Sequence, residues 1–264
     1  MIVYKSAEEI ELIRQSSLLV GKTHAQIARF IRPGVTGIEL DRMAETYIRD
    51  HGATPSFKNY NGYPFTLCIS VNEMVVHGFP SNKPFSEGDL ISIDCGVFMN
   101  GFHGDSAFTY GLGTMLPDTL KLMKTTHECL LKAIEKALVG NRVGDISYAV
   151  QQHAESNGFS VVRELVGHGV GKKLHEPPEV PNYGKRGTGT LLKEGMVIAI
   201  EPMINQGKRE VKTLADGWTV VTRDGKPSSH YEHTIAVGKE KADVLSTFEY
   251  IEEAIKGNSN ITLR

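Results

Sequence analysis

Apolar residues recur at helical spacing in some stretches of this chain and alternate in others, so helices and strands are expected in both halves. Ser6 and Glu9 form a capping box ahead of a helix expected to run to about Phe30. A second helix is expected from Thr36, with Glu39 three residues on, Leu40, Met43, Ala44, Tyr47 and Ile48 as its apolar stripe, and Gly52 as its stop. A third helix is expected from about Pro117 to Leu138, and a fourth from Asp145 to about Asn157, closed by Gly158. The region from Thr66 to Gly113 reads as strands at Leu67 to Val71, Leu90 to Val97 and Ala107 to Tyr110. Strands are expected again at Phe159–Leu165, Val197–Pro202, Trp218–Thr222 and His233–Val237.

The order of elements repeats, and so do some residues. RPGVTGIELDRMAETYIRDHG (32–52) aligns without gaps on LVGNRVGDISYAVQQHAESNG (138–158), placing Gly34 on Gly140, Glu39 on Asp145, Leu40 on Ile146 and Gly52 on Gly158. The fold class expected is therefore α/β (more narrowly α+β): two related halves, about 1–115 and 116–264, with sheets side by side and helices outside. No Pro/Ser-rich linker separates them, so residues 1–264 are expected to form one domain, with a site at the junction able to draw on both halves.

The segment DLISIDCGVFMNGFHGDSAFTYG carries the chemistry. Asn100-Gly101 between alternating apolar residues marks a hairpin with a two-residue type I′ turn. Met99 then pairs with Phe102 and Gly96 with Asp105. Asp94, two residues from Gly96, shares the face of Asp105. The two aspartates become diagonal cross-strand neighbours, roughly 7–8 Å apart at the base. A divalent cation between them would remove their repulsion. Glu201, after the apolar run VIAI, Glu232 in YEHTIAV, and His168 among the glycines of VGHGVG are the other polar residues at buried-looking positions. Together Asp94, Asp105, His168, Glu201 and Glu232 offer many oxygens and one imidazole, a set suited to two divalent ions such as Mn, Fe(II), Co or Zn. Such a pair can acidify a water and stabilise an oxyanion. His77 and His175 fit as non-ligands, either of them able to hydrogen-bond a substrate amide or its developing oxyanion. The remaining histidines, His230 among them, read as structural or solvated.

Composition narrows the partners. The chain has 264 residues, 40% hydrophobic and 23% charged, with a formal net charge of −2. That balance suits a globular enzyme and gives no reason to expect nucleic acid or an anionic membrane. No segment resembles a signal peptide or a membrane span. Cys68, Cys95 and Cys129 lack metal-type spacing and read as free thiols in a cytoplasmic protein.

CISVNEMVVHG, DCGVFMNGFHGD, GHGVGKKLHEPP, AIEPM and YEHTIAV occur in this order, and with them the chain resembles the bacterial-type type I methionine aminopeptidases over nearly its whole length. The resemblance implies a pita-bread fold of two pseudo-symmetric halves, with central antiparallel sheets and helices on the outer face. It implies removal of the initiator methionine from nascent polypeptides when the next residue is small, by attack of a hydroxide activated by two metals on the methionyl peptide bond. On this chain Asp94 would hold one metal, His168 and Glu201 the other, and Asp105 and Glu232 would bridge; Glu201 would also handle the proton. His175 would polarise the scissile carbonyl and His77 would contact the amide nitrogen. Tyr60, Tyr63, Cys68 and Trp218 would line the methionine pocket, with Phe57 bulky where many relatives are small and Leu174 where Phe is common. The partner implied is the N-terminal peptide of a new chain, with contact at the ribosome left open; a monomer is expected. Ile2 is bulky, so Met1 is expected to be retained.

Overall fold

The computed structural model describes residues 1–264. Helix α1 (Ala7–Ala28) starts where the capping box puts it: the Glu9 N–H donates to Ser6 Oγ and the Ser6 N–H to the Glu9 carboxylate, both at 3.2 Å. Thr36 and Glu39 repeat the device at the start of α2 (Gly37–Asp50). Each cap satisfies donors that the first turn leaves unpaired and contributes about 1 kcal/mol. Leu40, Ala44 and Ile48 are fully buried, with Met43 and Tyr47 packed at the margin of the same core. Strands β1 (Leu67–Val71), β2 (Leu90–Met99) and β3 (Phe102–Leu112) form an antiparallel sheet with β2 between the other two. Asn100 and Gly101 adopt the left-handed φ values, 55° and 83°, that a type I′ turn demands, so Met99 faces Phe102 and Gly96 faces Asp105 as expected.

The second sheet contains β4 (Val166–Gly169), β5 (Glu176–Pro181), β6 (Val197–Ile200) and β7 (His233–Ala236), in the spatial order β7, β6, β4, β5, with the short strand Asp243–Val244 on the outer edge of β7. Before it come α3 (Pro117–Ile134) and α4 (Val143–Ser156). The backbone repeats between the two sheets at the hydrogen-bond level. Gly34 (φ 91°) donates to Phe85 O at 2.9 Å, and Gly140 (φ 93°) to Leu192 O at 3.1 Å. Thr36 forms an antiparallel bridge with Pro84, and Arg142 with Leu191. These bonds point to a second internal match: FSEGDLISID (85–94) aligns without gaps on LKEGMVIAIE (192–201), which sets Asp94 on Glu201.

Where the two sheets meet, one main-chain bond and several side-chain bonds, rather than a continuous ladder, join them. The Glu232 N–H donates to Ala107 O at 2.9 Å, Ser106 Oγ to Glu232 O at 2.7 Å, and Thr109 Oγ1 to His230 O at 2.6 Å. Thr234 Oγ1 accepts from the Asp105 N–H and donates to Asp105 O. Small hydroxyl side chains thus bring β3 and the start of β7 close enough for Asp105 and Glu232 to converge. No helix is long and apolar enough to cross a membrane.

Several expected boundaries move. The third helix stops at Ile134 because Leu138 is drawn into a bridge with Gly238. Of Phe159–Leu165 only Ser160–Val161 is strand; Arg163 to Leu165 are irregular, and Glu164 and Leu165 line the cavity described below. Trp218 lies in a turn, because the Asp216 carboxylate accepts the Trp218 and Thr219 N–H groups at 2.8 Å, and the strand begins at Val220. β5 is a strand the sequence reading omits; Pro177, Pro178 and Pro181 hide it, and its edge position tolerates them.

Candidate metal centre and substrate pocket

The thirteen residues named from the sequence as ligands, flanking histidines and pocket wall all line one cavity of about 360 Å³ between the two sheets. At its floor, ligand atoms of Asp105, His168 and Glu232 lie within 4.8 Å of one another. Asp94 stands on β2 opposite Ala107 and Cys68, diagonal to Asp105, which pairs with Gly96 two residues along. His168 Nε2 is 3.6 Å from Glu201 Oε1 and 3.9 Å from Asp105 Oδ2. Its Nδ1–H donates to Gly169 O at 3.0 Å, which leaves the Nε2 lone pair facing the carboxylates. Gly167 makes this approach possible, since a Cβ there would sit 2.5 Å from Ala199 O.

Electrostatics at the floor are unbalanced. Asp94 Oδ1, Asp105 Oδ1 and Glu232 Oε1 are buried with no hydrogen-bond partner. Burial pushes the Asp94 carboxyl up to about 7. Burial, then mutual repulsion, raises Asp105, Glu201 and Glu232 well above the ordinary carboxylate range. Burial, reinforced by His175, lowers His168 to about 3, so its imidazole is neutral at physiological pH. Buried carboxylates and a neutral imidazole nitrogen aimed at one point are what a divalent cation requires. The donor set is mostly hard oxygen and fits first-row ions; the buried thiols of Cys95 and Cys129 lie elsewhere in the core.

Above the floor the walls are aromatic and apolar. Phe57, Tyr63, Cys68 and Leu174 form a buried cluster, with Tyr60, Phe65, Phe79 and Trp218 packed against it. Tyr63 meets Trp218, Phe79 and Phe65 edge-on at centroid distances of 5.1, 5.4 and 6.1 Å, and its one hydroxyl proton is shared between Leu67 O and Gly78 O. Phe57 fits because Gly96 lies against it: a Cβ on Gly96 would come within 2.6 Å of the Phe57 ring. Phe65 and Phe79 escaped the sequence reading, since both sit in Pro/Gly-rich loops without strand or helix periodicity.

Two histidines flank the floor. His77 follows the strand Met74–Val76 in a left-handed conformation (φ 57°), an uncommon state for a β-carbon residue that concentrates at functional sites. Burial lowers its imidazole to about 4. The His175 ring stands edge-on to the His168 ring at 4.1 Å, and its Nδ1 is 2.8 Å from the Tyr60 hydroxyl. His230, read from the sequence as structural, is buried with Nε2 unpartnered and 3.8 Å from Glu201 Oε2. Nothing in its Ser-Ser-His setting announces that direction.

Comparison with known proteins agrees with this geometry. The model of metallopeptidase family M24 matches residues 11–239. A methionine aminopeptidase of Clostridium perfringens is 53% identical over 246 residues, covering 93% of this chain and 99% of the relative. Methionine aminopeptidase 1 of Bacillus subtilis is 50% identical with the same coverage. The crystal structure of the Thermotoga maritima methionine aminopeptidase superimposes with a TM-score of 0.92 at 42% identity, covering 94% of this chain and all of that one. With a family model over most of its length and relatives of this identity from end to end, the chain belongs to metallopeptidase family M24, in its methionine aminopeptidase branch.

Proposed function

We propose that the cavity between the sheets is where this metal-dependent hydrolase removes the N-terminal methionine from new polypeptides whose second residue is small. One observation carries the assignment of the site: partnerless buried carboxylate oxygens and the free nitrogen of His168 converge beneath a pocket walled by aromatic rings. Asp94, Asp105 and Glu232 would hold one ion, and Asp105, Glu232, His168 and Glu201 the other, with Mn, Fe(II), Co and Zn as candidates. When bound, such ions acidify a water and polarise a carbonyl.

The rest follows from the chain's own side chains. Glu201, as the carboxylate whose basicity burial raises, would take the proton of the attacking water and pass it to the leaving nitrogen. His175 donates from Nε2 to the carbonyl oxygen as charge develops there, and neutral His77 contacts the scissile amide nitrogen. Phe57, Tyr60, Tyr63, Cys68 and Trp218 receive the methionine side chain. Burying it stabilises the complex by about 1.5–3 kcal/mol, and contact of its sulfur with the rings adds about 0.3–1.5 kcal/mol. Residues 1–115 and 116–264 act as two halves of a single catalytic domain, each supplying carboxylates to the floor. Three buried, unpaired thiols support a cytoplasmic location.

The test is hydrolysis of Met-Gly-Met-Met by chelator-treated enzyme reloaded separately with Mn, Fe(II), Co or Zn, for the parent protein and Asp94→Asn. Methionine released only with metal, and lost in the variant, is expected. Folded, metal-binding protein that releases none with any ion would refute the assignment.

A further inference from the structure

The contact between Tyr60 and His175 joins residues 115 positions apart, and the proposed reaction leaves it unexplained. The Tyr60 hydroxyl lies 2.8 Å from His175 Nδ1, and His175 makes no other hydrogen bond. The ring is confined on one side by the edge contact with His168 at 4.1 Å and on another by the tilted Tyr60 ring at 5.2 Å. Only one arrangement of protons lets a neutral histidine donate to a carbonyl oxygen while it is hydrogen-bonded to this tyrosine. The tyrosine hydroxyl donates to Nδ1, the imidazole is neutral, and its proton sits on Nε2. If His175 instead donated from Nδ1 to the tyrosine oxygen, Nε2 would present a lone pair to the carbonyl and repel it.

The backbone is arranged to hold Tyr60 in place. Asn59, Asn61 and Gly62, its immediate neighbours, take φ values of 70°, 49° and 89°, and the Asn59 N–H donates to Tyr63 O at 2.7 Å. Left-handed asparagines on both sides of one tyrosine are a strained arrangement of the kind found where a side chain must be aimed. Each partner is also tied to the methionine pocket. Tyr60 shares its loop with Phe57 and Tyr63, and His175 directly follows Leu174; those three residues belong to the buried pocket wall.

We propose that Tyr60 is a positioning residue that fixes the tautomer and orientation of His175, so that filling the methionine pocket also sets the group facing the scissile carbonyl. This rests on the role assigned to His175 above. It makes selectivity for methionine over a shorter side chain appear in kcat as well as in KM, because a pocket left part-empty leaves the Tyr60 loop and Leu174 unbraced.

The experiment compares Tyr60→Phe, His175→Ala and the double variant in Mn-loaded enzyme with Met-Gly-Met-Met and its norvaline and alanine analogues. It also reads the His175 ring nitrogens by 15N NMR in Zn-loaded protein. Tyr60→Phe keeps the ring and the wall, so KM for the methionine peptide should stay within about twofold while kcat falls about tenfold. His175→Ala should lose about 10²–10³ in kcat, and the double variant should lose no more than that. The 15N spectrum should show Nε2–H alone in the parent protein and a mixture of tautomers in Tyr60→Phe. Unchanged kcat and unchanged tautomer in Tyr60→Phe, with His175→Ala impaired, would overturn the inference and leave the role of His175 standing. Unimpaired His175→Ala would overturn that role, and the inference with it.

Discussion

Replacing Asp94 by Asn should stabilise the metal-free protein while destroying its activity. The buried Asp94 carboxyl titrates at about 7 against an ordinary 3.8, driven first by burial. A shift of about three units corresponds to about 4 kcal/mol between the charged and neutral forms, an upper value because a metal-free site relaxes and admits water. The sign is set by the direction of the shift. A carboxyl raised in the folded state contributes full stability below about pH 4, and that contribution is lost as pH rises through about 7. Asn cannot ionise, and its Nδ2–H₂ can donate to the neighbouring Asp105. At about pH 8 a gain of roughly 2 kcal/mol is expected, or about 4–8 °C in melting temperature for a chain of this size. The assay is calorimetry of chelator-treated parent and Asp94→Asn between about pH 5 and 8. The parent should melt progressively lower as pH rises, the variant much less so, and divalent ion should restore the parent but not the variant. Equal melting temperatures at every pH would refute the idea that uncompensated carboxylates strain this site.

Two further substitutions probe its surroundings. Gly96→Ala places a methyl group 2.6 Å from the Phe57 ring and 2.8 Å from Ser56 Cβ, so Phe57 must move into the pocket; steady-state kinetics should show KM for methionine peptides raised about tenfold and melting lowered by about 1–3 kcal/mol of overpacking. Lys5→Met breaks a buried pair, Lys5 Nζ to Glu176 Oε2 at 2.7 Å, and leaves a charge without its partner beside His175; chemical denaturation should show a loss of about 3–5 kcal/mol, largely recovered when Glu176 is also made apolar.

What the sequence disclosed, and what it hid, follows physical lines. Local chemistry was legible: Asn100-Gly101 dictates its turn, and Ser6 with Glu9 and Thr36 with Glu39 dictate their helix starts. The resulting register sets Asp94 and Asp105 on one face. Distant chemistry was not. The match of 85–94 to 192–201 keeps Glu87 on Glu194, Gly88 on Gly195, Ile91 on Ile198 and Ile93 on Ile200, but it spans only ten residues and gains its meaning from the hydrogen bonds that align it. Prolines hid β5, and the Asp216 carboxylate converted an apparent strand start at Trp218 into a turn. The inward direction of His230 and the Tyr60–His175 contact depend on how the two sheets pack, which no local pattern records.

The seam of hydroxyl side chains between β3 and β7 has a consequence for folding kinetics. Asp105 and Glu232 are brought together across 127 positions of sequence, a closure that depends on the two sheets having already docked. An ion bridging them is then a contact made after the folding barrier. It should act as a brake on unfolding, separating the unfolding limbs of loaded and metal-free protein while their refolding limbs superimpose. The lifetime of the native state, rather than the speed of reaching it, would then follow the cell's supply of metal.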